Sequence, residues 1–332
     1  MRLDTAEATL DVAHESFPVD GSFTISRGAR KTAEVVVATL RRGGHVGRGE
    51  CVPYARYGET IEGVMEALRG MAGAVADGLD REALQSAMPP GAARNALDCA
   101  LWDLEAKRAG KRVWEIARRD PPAPVPTAFT ISLGPPEQMR RKAARNAFRG
   151  LLKIKLGGEG DLARIRAVRE GAPYAPIVVD ANEGWTPDTY AELAPELVAL
   201  GVLMVEQPFP AGADEALATL ERPLPVCADE SAHDCASLEG LRGKYDMVNV
   251  KLDKTGGLTE ALKLRDAAEA AGFGLMVGCM LCSSLSIAPA LIVAQGAAVV
   301  DLDGPLLLAR DREPGLLYDE AGAHPPSPEL WG

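Results

Sequence analysis

Positive charge is in short supply in this chain of 332 residues, with 36 Lys plus Arg against 47 Asp plus Glu and a formal net charge of −11. That balance has the wrong sign for tracking a phosphate backbone and argues against nucleic acid as a partner. The opening MRLDTAEATLDVAHE lacks the basic start and apolar core of a secretory signal, which predicts a cytoplasmic protein. A second CxxC and an HxxxH are missing too, so the CxxC of GCMLC, Cys279 and Cys282, stands without the companions of a metal or redox centre. Cys51, Cys99, Cys227 and Cys235 are scattered in mostly apolar contexts, as reduced buried thiols are. Charge of either sign is absent from Ala270 to Val300, which is long enough to consider a membrane span. Ser283, Ser284, Ser286, Pro289 and Gln295 interrupt that run and Gly272 and Gly278 punctuate it, so a strand, a buried helix and another strand account for it better. No membrane partner is expected.

Hydrophobic residues make up 47% of the chain, enough for a sizeable core. After about residue 120, eight short apolar runs recur: PTAFTISLG, LLKIKLG, PIVVDANEG, LMVEQP, PVCADES, MVNVKLD, GLMVGCM and AVVDLDGP. Between them lie segments such as DLARIRAVREGA and LTEALKLRDAAEAAG, whose apolar residues fall three and four apart, as amphipathic helices require. Strand and helix alternating eight times predict an α/β fold, a modified TIM barrel of (β/α)7β type in which the tail replaces the last helix. Residues 1–120 differ, with strand-like stretches first and helices after, and are expected to form an α+β capping domain. The barrel is placed at 121–305, entered through the stiff PPAPVP, and the tail at 306–332 is expected to return to the cap. Internal repeats and low-complexity tracts are lacking.

Each run begins apolar and ends polar, at Lys155, Asp180, Glu206, Asp229, Lys251, Asp301 and Asp303. In such a barrel the C-terminal strand ends surround one mouth, where the active site is built. Asp180, Glu206 and Asp229 follow one another at intervals of 26 and 23 residues, on neighbouring strands. A single acid of this kind reads as a polar strand end or a helix cap. Three in succession repel one another unless a cation is shared, and hard oxygen ligands with open positions suit Mg²⁺. Lys155 lies on the strand before the acids and Lys251 on the strand after them, so a closed ring sets the two lysines face to face. Burial and a neighbouring cation, Lys153, are expected to depress their pKa toward a useful base. A metal flanked by two bases fits one chemistry: a substrate carboxylate gives up its α-proton, and the enediolate is reprotonated from the other side. The carbon is thereby racemised or epimerised.

These residues resemble the enolase superfamily, and within it the muconate-lactonising-enzyme subgroup. The likeness is carried by the pair Lys153 and Lys155, the acids in VVDAN, VEQP and ADES, and the lysine in NVKLDKTGG. RGARKTAEVVV, ECVPYARYGE, GAARNALDCALWDL, GCMLC and DLDGP narrow the resemblance to the L-Ala-D/L-Glu (dipeptide) epimerases, which serve murein-peptide recycling in bacteria. The resemblance implies that Asp180, Glu206 and Asp229 bind Mg²⁺, with Mn²⁺ as an alternative, and that Lys155 and Lys251 are the two acid/base catalysts. It implies that Lys153 assists at the substrate carboxylate, that Asp301 and Asp303 hold the dipeptide ammonium, and that Arg30 holds the glutamate side-chain carboxylate. Thr130, Cys279 and Met280 would line the same pocket. Two carboxylates on one strand face do make a cation site, although DLDGP also reads as a turn. A planar guanidinium suits a carboxylate, although Arg27 and Lys31 beside Arg30 also read as a solvated basic loop.

Other readings stay open at this level. The same scaffold serves dipeptide epimerases of other specificity, N-acylamino-acid racemases and cycloisomerases, of which only those with a cationic amine substrate need Asp301 and Asp303. A Schiff-base aldolase would use Lys155 or Lys251 as nucleophile and leave the acids without a role. An inert metal-binding barrel would bind Mg²⁺ without exchanging a substrate proton. Monomer and homo-oligomer both remain open.

Overall fold

The computed structural model describes residues 7–332; residues 1–6, included above in the cap, lie outside the described residues. The chain opens with a three-stranded antiparallel sheet, β1 (Thr9–Ile25), β2 (Gly28–Arg42) and β3 (His45–Cys51). Alternation along β2 feeds two cores at once. Val35 and Val37 pack with the barrel, while Val36, Ala38 and Leu40 pack with the cap helices. The helix Ala92–Ala109 lies so close on β3 that a Cβ at Gly47 or Gly49 would stand 2.3 or 2.1 Å from a carbonyl of that helix. Glycine is required there by the approach of backbone to backbone.

Eight parallel strands follow: β4 (Phe129–Ile131), β5 (Leu152–Lys155), β6 (Ile177–Asp180), β7 (Val202–Glu206), β8 (Val226–Ala228), β9 (Met247–Val250), β10 (Gly274–Gly278) and β11 (Val299–Asp301). Each pairs with the next in chain order, and the Ala128 N–H donates to the Val300 carbonyl across the seam at 2.8 Å. All eight apolar runs of the sequence are strands. The helices are less regular than the periodicity predicts: short 3₁₀ segments, Glu215–Ala218 and Cys235–Leu241, stand between β7 and β8 and between β8 and β9. Pro208, Pro210, Gly212, Pro223 and Pro225 leave no uninterrupted stretch for a long helix in the first of these. The uncharged segment 270–300 is β10, the buried helix Ser284–Val293 and the start of β11; among the described residues no helix is long and apolar enough to cross a membrane.

The tail runs back along the cap. Ala309 N donates to Pro18 O, Val125 pairs with Ala323, and the Gly332 N–H donates to Asp103 Oδ1 at 2.7 Å.

The two-residue period of the strands explains how charge enters the barrel. Val178, Met204, Cys227, Met247 and Met276 form an apolar layer inside it. Two residues further along the same strands come Asp180, Glu206, Asp229, Asn249 and Gly278, and two further again along β9 comes Lys251. An inward polar layer therefore rests on an inward apolar one.

Candidate active site

Above the polar layer lies a cavity of about 400 Å³, the size of small-ligand sites. Lys155, Asp229, Lys251, Asp301, Asp303, Thr130, Cys279 and Met280 line it from the barrel, and Arg27, Arg30, Tyr54 and Tyr57 from the cap. Lys155 on β5 and Lys251 after β9 stand four strands apart in a ring of eight, and so on opposite sides. Lys153, Asp180 and Glu206 do not line the cavity and are fully buried.

Lysines and acids are interleaved. Lys155 Nζ meets Asp180 Oδ2 at 2.6 Å, and Lys251 Nζ meets Asp229 Oδ2 at 2.6 Å. Lys153 is a hub, 2.6 Å from Glu206 Oε2, 2.7 Å from Asp301 Oδ2 and 3.3 Å from Asp180 Oδ2. Lys254, from the turn after β9, reaches Asp229 Oδ1 at 2.7 Å. Gly278 keeps this corner open, because a Cβ there would stand 2.8 Å from Asn249 and 3.1 Å from the Lys251 chain.

Burial acts on every group here, and the neighbours decide the sign. Burial raises Glu206 to about 6, helped by Asp180, because Lys153 offsets only part of the cost. Asp180 is pulled down to about 2 despite burial, by Lys155 and Lys153. Asp229 is held well below its usual range by Lys251 and Lys254, which outweigh burial. Lys251 departs from the sequence-based expectation of a depressed pKa. Burial alone would lower Lys251, but Asp229 and Glu206 hold it well above the ordinary lysine range, and Asp301 and Glu206 do the same for Lys153.

The crowding argument for a metal is met in part by the lysines themselves. Among the described residues, no three acidic, histidine or cysteine side chains close around one point as a metal cluster, since an ammonium stands beside each carboxylate. The donor set nevertheless fits a hard cation: three buried carboxylates on adjacent strands, with Asp180 and Glu206 in register. Glu206 Oε2 is buried without a hydrogen bond, its contact with Lys153 being poorly angled, and Asn249 donates to Glu206 Oε1 at 2.8 Å, steadying the other oxygen.

At the β11 end, Asp303 accepts the Thr130 N–H at 2.6 Å and Asp301 Oδ1 is buried without a partner. Burial and the adjacent Asp301 push Asp303 up to about 7. On the cap side the cations divide. Arg27 is spent on the protein, donating to Asn182 O, Glu183, Tyr54 and Glu230, the last at 2.7 Å. Arg30 lies over the Tyr54 ring at 5.5 Å and has no carboxylate partner among the described residues. All six cysteines are free thiols, and Cys279 faces the cavity half-buried while Cys282 is buried.

Sequence reasoning passed over Asn249, Lys254, Glu230, Arg27 and Tyr54. Asn249 was legible, because it shares a strand face with Lys251. The others arrive through turns and loops, where no period marks them.

Two family models together match most of the chain: "Mandelate racemase / muconate lactonizing enzyme, N-terminal domain" over residues 7–117 and "Enolase C-terminal domain-like" over 136–322. A protein of Escherichia coli (strain K12) named L-Ala-D/L-Glu epimerase is 46% identical over 318 residues, spanning 95% of this chain and 99% of that one. An N-acetyl-D-glutamate racemase of a Pseudoalteromonas species is 41% identical, over 86% of this chain and 91% of the other. A crystal structure of an enolase family member from Agrobacterium tumefaciens, described as homologous to dipeptide epimerases and holding sodium and L-Ala-L-Glu, superposes with a TM-score of 0.97 at 56% identity, covering 98% of this chain and 100% of that one.

Proposed function

The chain belongs to the mandelate racemase/muconate lactonizing enzyme family of the enolase superfamily, and from that premise we propose that it epimerises L-Ala-D-Glu and L-Ala-L-Glu at the glutamate α-carbon. The observation that carries the reading is the pair Lys155 and Lys251, on opposite sides of one cavity and each on its own carboxylate.

One lysine, which must first release the proton that its carboxylate partner favours, takes as the free amine the α-proton from one face of the carbon, and the other, as the ammonium, delivers a proton to the opposite face. Lys153 adds fixed positive charge beneath the substrate carboxylate. A Mg²⁺ or Mn²⁺ ion held by Asp180, Glu206 and Asp229 would supply neutralisation of the charge that builds on that carboxylate as the α-proton leaves. Asp301, with its unpartnered Oδ1, and Asp303 are suited to the dipeptide ammonium. Arg30, without a carboxylate partner among the described residues, is suited to the glutamate side-chain carboxylate. Phe23, Ile25, Val52 and Leu307 give the cavity apolar walls that limit water. The E. coli relative's printed name supports the substrate, and a cytoplasmic role in murein-peptide recycling follows from that substrate class.

A second reading, racemisation of an N-acylated glutamate, is favoured by the Pseudoalteromonas relative. It leaves Asp301 and Asp303 facing an uncharged acyl group. The test is proton NMR of both dipeptides and of N-acetylglutamate in D₂O with Mg²⁺. Deuterium wash-in at the glutamate α-carbon with interconversion of the dipeptide epimers, abolished by EDTA, is expected; exchange confined to N-acetylglutamate would replace the first reading by the second.

A further inference from the structure

We infer that Lys254 is a positioning residue for one of the two bases, fixing the Asp229 carboxylate against which Lys251 rests and so supporting proton transfer on the Lys251 side more than on the Lys155 side. The inference rests on the two-lysine reading above and deepens it.

Lys254 is fully buried and does not face the cavity. Its ammonium makes three hydrogen bonds, to Asp229 O at 2.5 Å, Asp229 Oδ1 at 2.7 Å and Asn249 O at 3.0 Å. All three donor positions of the ammonium are thereby used, and both strand ends, β8 and β9, are tied to one point. Asp229 is gripped from two sides: Oδ1 by Lys254 from behind, Oδ2 by Lys251 from the cavity at 2.6 Å. Rotation of the carboxylate would break one contact or the other, so Lys254 sets where the Lys251 ammonium lies.

The turn that carries both lysines is itself clamped by the cap. Lys251 begins the short helix Leu252–Thr255, and Arg94 of the cap helix donates to Thr255 O at 2.7 Å and Gly256 O at 3.2 Å. Asp253 accepts the Val52 N–H at 3.0 Å and the Asn95 amide at 2.8 Å. With its backbone fixed at this many points, the Lys254 side chain has one direction available.

Nothing comparable reaches the opposite base through Lys254. Asp180, the partner of Lys155, is steadied by the Asn182 N–H at 2.9 Å and by Lys153 at 3.3 Å. Through Asp229 as a proposed metal ligand Lys254 would support both half-reactions equally, whereas through the contact of Asp229 with Lys251 it supports one of them more.

The experiment compares α-deuterium wash-in from L-Ala-D-Glu and from L-Ala-L-Glu in one preparation of each variant, so that the folded fraction cancels in the ratio. Lys251→Ala identifies the epimer that Lys251 serves. In Lys254→Met, and to a smaller extent in Lys254→Gln, wash-in from that epimer is expected to fall at least ~10-fold relative to the other, the scale of a small misplacement of a catalytic group. An unchanged ratio in both variants, or failure of both to fold, assigns Lys254 to the scaffold and overturns the inference. Absence of exchange from either epimer in the unsubstituted protein defeats the two-lysine reading, and the inference with it.

Discussion

Arg56 and Glu183 meet in a two-pronged ion pair, Nε to Oε2 at 2.8 Å and Nη2 to Oε1 at 2.7 Å, across 127 residues of chain. Arg27 joins the same carboxylate at 3.2 Å, so two cap loops converge on one residue of the loop after β6. Glu183 itself has a left-handed backbone, φ 66°, beside Asn182 at 45°, a cost that the converging contacts offset. Loops joined this way cover the cavity mouth when they are paired. Glu183→Gln is expected to raise KM for the dipeptide about fivefold, the equivalent of ~1 kcal/mol, with kcat changed less than about twofold. Steady-state epimerisation measures both, and an unchanged KM would deny the loops a part in holding substrate.

Asp301 offers an unpartnered buried oxygen on the side of the cavity proposed for an ammonium. Asp301→Asn removes the charge and keeps the shape. Binding of L-Ala-D-Glu should weaken by about 2 kcal/mol, roughly 30-fold in KM, on the usual scale for a charged hydrogen bond. N-acetylglutamate, lacking the amine, serves as the control. Equal losses for the two compounds would show that Asp301 acts only through Lys153.

Asp98 gives a pH signature outside the polar layer of the barrel. It is fully buried in the cap helix, accepts hydrogen bonds from Thr259 N at 2.9 Å and Thr259 Oγ1 at 2.7 Å, and is pushed up to about 6 by burial against an ordinary 3.8. Between those two values the folded chain holds a proton that the unfolded chain has released. The contribution of Asp98 to stability therefore falls as pH rises through that window and is level above about 6. Relative to the unsubstituted protein, Asp98→Asn should gain about 2 kcal/mol between pH 4.5 and 7. Urea unfolding at the two pH values checks it; a difference that does not change with pH would place the Asp98 pKa near its ordinary value.

Gly257 is the pivot of the turn that carries both lysines. Its φ is +115°, and a Cβ would stand 2.5 Å from Asp98. Gly257→Ala should cost about 3 kcal/mol or more, combining backbone strain with a clash against a buried carboxylate, and should reduce exchange at the substrate α-carbon. Thermal unfolding together with the NMR assay reads both; a variant of normal stability would mean that the turn relaxes cheaply.

The strands and their inward polar ends could be read because a period of two, repeated eight times, leaves little freedom once one face must be apolar. Asp180, Glu206, Lys155 and Lys251 follow from that rule. The missing helix before β8 could not be read, because the amphipathic rule does not register how few residues remain between prolines. The loop RGAR hid its division of labour, since Arg27 and Arg30 have the same chemistry and only three-dimensional partners show that one is held by protein carboxylates and the other, among the described residues, is not. The expected direction failed for Lys251 because burial was weighed without the carboxylates Asp229 and Glu206 beside it.

The long hairpin of β1 and β2 has a further consequence. Its arms are bound to each other from Thr9 and Arg41 up to Phe23 and Arg30, while its tip hangs over a barrel whose lysines and acids lie on other segments. On the proposed reading, the part of recognition that falls to Arg30 lies on a different stretch of chain from the two lysines. A lineage can exchange a few residues at the tip and acquire a new diet without disturbing the residues that move the proton, so descendants of such a scaffold should diverge in what they accept long before they diverge in what they do.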